Sequence, residues 1–128
     1  MGFTAPYTGS MGARVEAFEP GYARVSLRDR RAVRNHLKSV HAIALTNLAE
    51  LASGLALTGA LPPGTRGIPV ALSITFMKKA RGRLVAECRT TLPAIVGPVD
   101  HEVTAAIRDA SGDEVARASV TWKLAPLP

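Results

Sequence analysis

Ser39 to Thr58 reads SVHAIALTNLAELASGLALT. Its apolar residues are Val40, Ile43, Leu45, Leu48, Leu51, Leu55 and Leu57, with alanines between them, and they are not confined to one stripe. A helix that is apolar all round is buried on most of its sides. Ser39 is placed to cap the start, Gly59 to stop the end, and Pro62-Pro63 prevents continuation. At about 1.5 Å per residue the helix is about 30 Å long. The wider apolar region, Val40 to Leu61, has about the length of a membrane span, but it carries His41, Thr46, Asn47, Glu50, Ser53 and Thr58. It reads as the buried helix of a soluble domain, with no membrane partner.

The segments on either side have strand character. Gly12 to Phe18 and Gly21 to Arg28 alternate apolar and polar residues around Pro20-Gly21, a hairpin signal. Asp29 to Lys38 has neither period and reads as a loop. Beyond Gly67 the period becomes two, with Val70, Leu72, Ile74 and Phe76 set against Ala71, Ser73, Thr75 and Met77. Ala80 to Gly82 turns the chain into a strand over Arg83 to Leu92, and Pro93 to Pro98 is a loop. Val99 to Arg108 and Val115 to Leu124 form a hairpin about Ser111-Gly112. Two short strands, one buried helix and four long strands make an α+β domain in which an antiparallel sheet of about six strands curls around the helix.

The 128 residues, 47% of them hydrophobic, suffice for a single domain over positions 1–128 without disulfide or metal staples. The one cysteine, Cys88, has no internal partner, and zinc-type Cys/His spacings are missing, so no metal is expected. With no charged and apolar leader pattern at the N-terminus, a cytoplasmic setting is expected. The formal charge of +6 favours anionic partners. At 5% aromatic residues, with the basic residues scattered through alternating strands, a nucleic-acid platform is excluded as the leading reading.

The chemistry is sought among the polar residues of the apolar helix. Burying Asn47 or Glu50 unpaired costs of the order of 2 to 7 kcal/mol, so each needs a partner or a task. His41 and Ala42 occupy the first turn, where backbone N–H groups favour an anion or a polarised carbonyl oxygen. Glu50 follows His41 by nine residues, which turns it by about 180° and moves it about 13.5 Å along the axis. One helix cannot bring both to one substrate. If they cooperate, the second comes from another copy in an antiparallel two-fold dimer.

The run Asn35-His36-Leu37-Lys38-Ser39-Val40-His41-Ala42, with Glu50 beyond it, resembles the Asn-x5-His-Gly-Gly-x6-Asp/Glu pattern of hotdog-fold acyl-CoA thioesterases. It is most similar to the phenylacetate-pathway type and to an uncharacterised thioesterase-like branch. Ile74 to Gly82 is similar to the strand and turn after the helix in that family. The resemblance implies a hotdog fold and an acyl-CoA hydrolase that is at least a dimer, with coenzyme A as part of the substrate and no other cofactor. It implies that the Ala42 N–H polarises the thioester carbonyl, His41 shapes that turn and Asn35 orients substrate or water. Glu50 of the partner subunit then acts as base or nucleophile. The chain departs from the pattern in having His41-Ala42-Ile43 for His-Gly-Gly, and Pro69 or Val70 where some relatives place a serine or threonine near the water.

Lys78, Lys79, Arg81 and Arg83 cluster at a strand end and turn. They are expected either to attract the phosphates of coenzyme A or to form a solvated hairpin tip. Glu50 has its own plain alternative as one half of an interface ion pair. Cys88 and Trp122 are expected to pack, His36 to lie in the loop and His101 on a strand. Two other functions stay open: an acyl-group binder that does not hydrolyse, and an enoyl-thioester dehydratase using His36 and Glu50. The second lacks the Gly-His-Phe-Pro loop of familiar dehydratases.

Overall fold

The computed structural model describes residues 13–27, 42–80 and 82–128. Strands β1 (Ala13–Glu19) and β2 (Tyr22–Leu27) precede helix α1 (Ala42–Ala60). Strands β3 (Thr65–Phe76), β4 (Leu84–Arg89), β5 (Val99–Arg108) and β6 (Glu114–Pro126) follow. All six strands join one antiparallel sheet in the order β1-β2-β4-β5-β6-β3, with β1 and β3 as its edges.

Alternation decides which residues meet the helix. Ala23, Val25 and Leu27 of β2 pair with Cys88, Ala86 and Leu84 of β4. With Val103, Ala105 and Ile107 of β5 and Ala116, Ala118, Val120 and Leu124 of β6, they form the buried floor of the core. The ten buried helix residues, from Ala44 to Leu57, close it from above. Alanine at so many of these positions lets helix and sheet approach closely, and each fully buried leucine, such as Leu48 or Leu57, is worth about 1.5–3 kcal/mol. By length and composition α1 could cross a membrane, but here it lies along the sheet with those residues covered.

Two expectations about the helix need correction. It is buried on most of its sides, as expected, but Asn47 and Glu50 are not among the buried residues: a stripe of Ile43, Asn47, Glu50 and Thr58 is exposed, with Gly54 half-buried. Nor does Gly59 stop it; the helix runs on to Ala60 and ends before Pro62-Pro63. Gly59 answers instead to packing, since a Cβ there would stand 2.9 Å from Cε1 of Phe18. The expected cap, Ser39, lies outside the described residues.

Strand β3 starts earlier than its apolar period suggests, and a register shift between Pro69 and Ala71 resets its alternation. Beyond the shift Leu72, Ile74 and Phe76 pair with Val120, Ala118 and Ala116 and share their helix-side face. Ile74 is partly buried against the core, but the other large apolar residues remain open, Val70 at 56% and Phe76 at 47% exposed. Chain order makes β3 an edge, and α1 packs mainly over β2, β4, β5 and β6.

The β1–β2 turn is clasped between helix and sheet. The Gly21 N–H donates to the Ala56 carbonyl (3.1 Å), and the Thr90 N–H donates to the Gly21 carbonyl (2.7 Å). Gly21 has φ +81, and a Cβ would stand 2.6 Å from the Thr90 carbonyl oxygen. Gly21→Ala is expected to lower stability by more than about 1 kcal/mol in denaturant unfolding. An unchanged midpoint would mean that the turn relaxes freely.

Candidate active site

Ala42 is the first described residue of α1, and it is exposed; the N–H groups of a helix's first turn have no acceptor within the helix. Glu50 stands on the exposed stripe, eight residues along, which is about 12 Å of axial rise. The two groups therefore cannot reach the same carbonyl carbon from one helix. Neither Asn47 nor Glu50 is buried by its own chain, contrary to the expectation of polar groups sunk in the core. Water leaves this carboxylate only when something covers the stripe. Asn35, His36, His41 and Arg81 lie outside the described residues.

The stripe borders the β3 edge. The position a Cβ would take on Gly54 is 3.8 Å from Cζ2 and Cη2 of Trp122, whose sheet partner is Pro69 of β3. Glu50 lies one helical turn before Gly54, and Asn47 and Ile43 precede it on the same side. On the helix side of β3, Leu72 and Phe76 are exposed while Ile74 is partly buried against the core, so this edge presents an open apolar wall, and Asn47 and Glu50 on the helix stripe are exposed as well. From Gly67 to Met77 the strand carries no charged residue, an unusual state for an edge that must stay in water. That run was the sequence signal for this wall, and alternation alone passed over it.

The basic cluster is largely engaged. Lys78 Nζ lies 2.9 Å from Asp109 Oδ2 and 3.0 Å from Asp113 Oδ2, on the β5–β6 turn. Hydrogen bonding to Asp109, then to Asp113, raises the Lys78 pKa, while the Lys78 contact lowers that of Asp109. Asp109 Oδ1 also accepts the N–H groups of Ser111 and Asp113, both at 3.0 Å. This is a turn built around a carboxylate. Arg83 Nη2 donates to Glu16 Oε2 (2.9 Å), which also accepts from Ser26 Oγ (2.7 Å); the Ser26 bond, with Arg83, holds the Glu16 carboxyl below its ordinary range. Lys79 is exposed, with no ion pair among the described residues.

The remaining candidates stay with the fold. Cys88 is buried, and desolvation pushes its thiol up to about 11, so it packs and does not react. Trp122 is 7% exposed, and among the described residues no partner meets its Nε1. His101 sits on β5 with Nε2 2.7 Å from Thr90 Oγ1.

The sequence profile of a family described as a domain of unknown function, DUF4442, matches residues 1–124. The chain belongs to the DUF4442 family. Solved structures place this DUF4442 domain among hotdog-fold proteins. A structural-genomics target is 33% identical at TM-score 0.85, over 94% of this chain and 82% of that one. A Pseudomonas aeruginosa protein of unknown function, described as a probable thioesterase, is 26% identical at TM-score 0.84, over 95% and 88%. A Staphylococcus aureus thioesterase shares the fold at 15% identity and TM-score 0.82, over 95% and 100%. No curated protein matches the DUF4442 chain in sequence.

Proposed function

We propose that this DUF4442 protein hydrolyses acyl-CoA or a related acyl thioester as an antiparallel two-fold homodimer. The observation that carries this reading is that Ala42 and Glu50 are both exposed on α1, with Glu50 on the open stripe near the largely uncovered apolar strand β3. A second copy whose β3 edge meets this one would continue the sheet and lay the two helices side by side and antiparallel. The solved relatives described as thioesterases support the same reading.

In the dimer the Ala42 N–H of one subunit polarises the thioester carbonyl, and Glu50 of the partner subunit faces the acyl carbon. Acting as base, Glu50 takes a proton from water as the hydroxyl oxygen bonds to carbon. The C–S bond then breaks, and the thiolate leaves and is protonated. Acting as nucleophile, the carboxylate displaces the thiolate, and water cleaves the resulting anhydride. Asn35 orients substrate or water, and His41 shapes the first turn. The alanine side chain at position 42 narrows the approach but leaves the backbone donor in place. A cytoplasmic, reducing setting belongs to this reading.

The deciding experiment is thiol release from a panel of short, aromatic and long acyl-CoAs. Turnover of one class identifies the acyl group; saturable binding with no turnover anywhere overturns hydrolysis in favour of acyl binding. Hydration of an enoyl thioester would point to the dehydratase.

Of the basic cluster, Lys79 is the described residue still available for the coenzyme A phosphates; Lys78 and Arg83 are held by carboxylates, and Arg81 lies outside the described residues. Lys79→Ala is expected to raise KM about 2- to 5-fold at low salt with kcat unchanged, an effect that fades as salt is added. A KM that does not move would leave the hairpin tip as a solvated turn.

A further inference from the structure

Asn47 has no role in the chemistry above, yet it stands in the middle of the exposed stripe, one turn before Glu50. We infer that Asn47 lies at the two-fold axis of the helix pair, where it meets Asn47 of the partner subunit and sets the register that brings Glu50 to Ala42. The inference rests on the proposed composite site.

In an antiparallel pair related by a two-fold axis, the residues facing each other are equally far from the axis, in opposite directions. Placing Ala42 opposite the partner's Glu50 puts the axis midway between them, at Thr46. Thr46 is only half exposed, and its hydroxyl is occupied, donating to the Ala42 carbonyl at 2.9 Å. Asn47 is the nearest fully exposed residue, and at about 1.5 Å per residue its copy stands only about 3 Å further along the axis. The same spacing separates the two Glu50 positions by about 12 Å and the two Gly54 positions by about 24 Å.

The chemistry suits the place. A carboxamide offers both donors and an acceptor, so two copies satisfy each other, whereas two carboxylates at an axis would repel. Ile43 on the same stripe, 65% exposed, supplies apolar area around the pair. A polar pair in an apolar seam penalises every other register, because any slip leaves both amides covered and unpaired. The occupant is a second copy of this chain, as the charge-free β3 edge beside the stripe also indicates.

The test introduces one cysteine at a time into the full chain. Cys88 stays, since it is buried and unreactive. Asn47→Cys is expected to form a covalent dimer under mild oxidation or with a short bismaleimide, and Gly54→Cys is not. Gly54 is a fair control because its Cβ position meets only ordinary contact with Trp122, at 3.8 Å. Cross-linking at 54 and not at 47, or at neither, overturns the inference, as does a wild type that sediments as a monomer. Asn47→Leu is expected to lower kcat about 10- to 100-fold through misregister, with Asn47→Gln restoring most of it; equal kcat in wild type and Asn47→Leu overturns the positioning role. The two readings fail separately. A chain that cross-links at 47 but hydrolyses nothing keeps the register and loses the hydrolase. A hydrolase dependent on Glu50 that cross-links at 54 keeps its activity and loses the register.

Discussion

Glu50→Gln is expected to cut thiol release from the best acyl-CoA by about 10²- to 10⁴-fold, the usual worth of a general base. The side chain is exposed in its own chain, and glutamine keeps its shape, so folding stability stays within about 0.5 kcal/mol of wild type. The loss falls on kcat, because the carboxylate acts on the transition state and adds little to ground-state binding. A companion Glu50→Asp variant retracts the carboxylate by one methylene and is expected to fall between the two. Steady-state kinetics with circular dichroism on the same samples checks both halves. Full activity in Glu50→Gln would remove the residue from the chemistry and leave an interface carboxylate.

Two inactive variants are expected to rescue each other. Proline at the first position of a helix is well tolerated and lacks an N–H, so Ala42→Pro deletes the carbonyl donor while the helix persists. Alone it is expected to lose about 10²- to 10³-fold, the cost of one oxyanion donor. When Ala42→Pro and Glu50→Gln chains are unfolded and refolded together, each mixed dimer carries one site with both wild-type groups and one with neither. Random mixing places about half of the subunits in such dimers, so about a quarter of wild-type activity returns. Recovery of this size requires a site shared between chains. If the mixture shows no more than the sum of its parts, each site lies within one subunit and the dimer reading fails.

Part of this protein was legible residue by residue. The apolar run before Pro62-Pro63 marks the one described helix, and alternation through Val103, Ala105 and Ile107 marks the buried face of β5. Glycine was harder to interpret. Gly59 has the look of a helix stop and is instead where the Phe18 ring passes, a contact between residues 41 positions apart in the chain. Lys78 and Arg83 read as free cations, because Asp109, Asp113 and Glu16 come to them only through the sheet. Glu50 stood out as a carboxylate in an apolar run, but composition could not tell a buried group from an exposed one.

The sequence by itself determined the fold class and the helix, and singled out Ala42 and Glu50 on it as candidates, because periodicity and spacing along a chain are local properties. The tertiary structure decided which flank of that helix stays open, that β3 is an edge with most of its apolar side chains uncovered, and which cations are already paired. Those depend on strand order and on how far one sheet reaches round one helix, and both are set by contacts between residues remote in sequence.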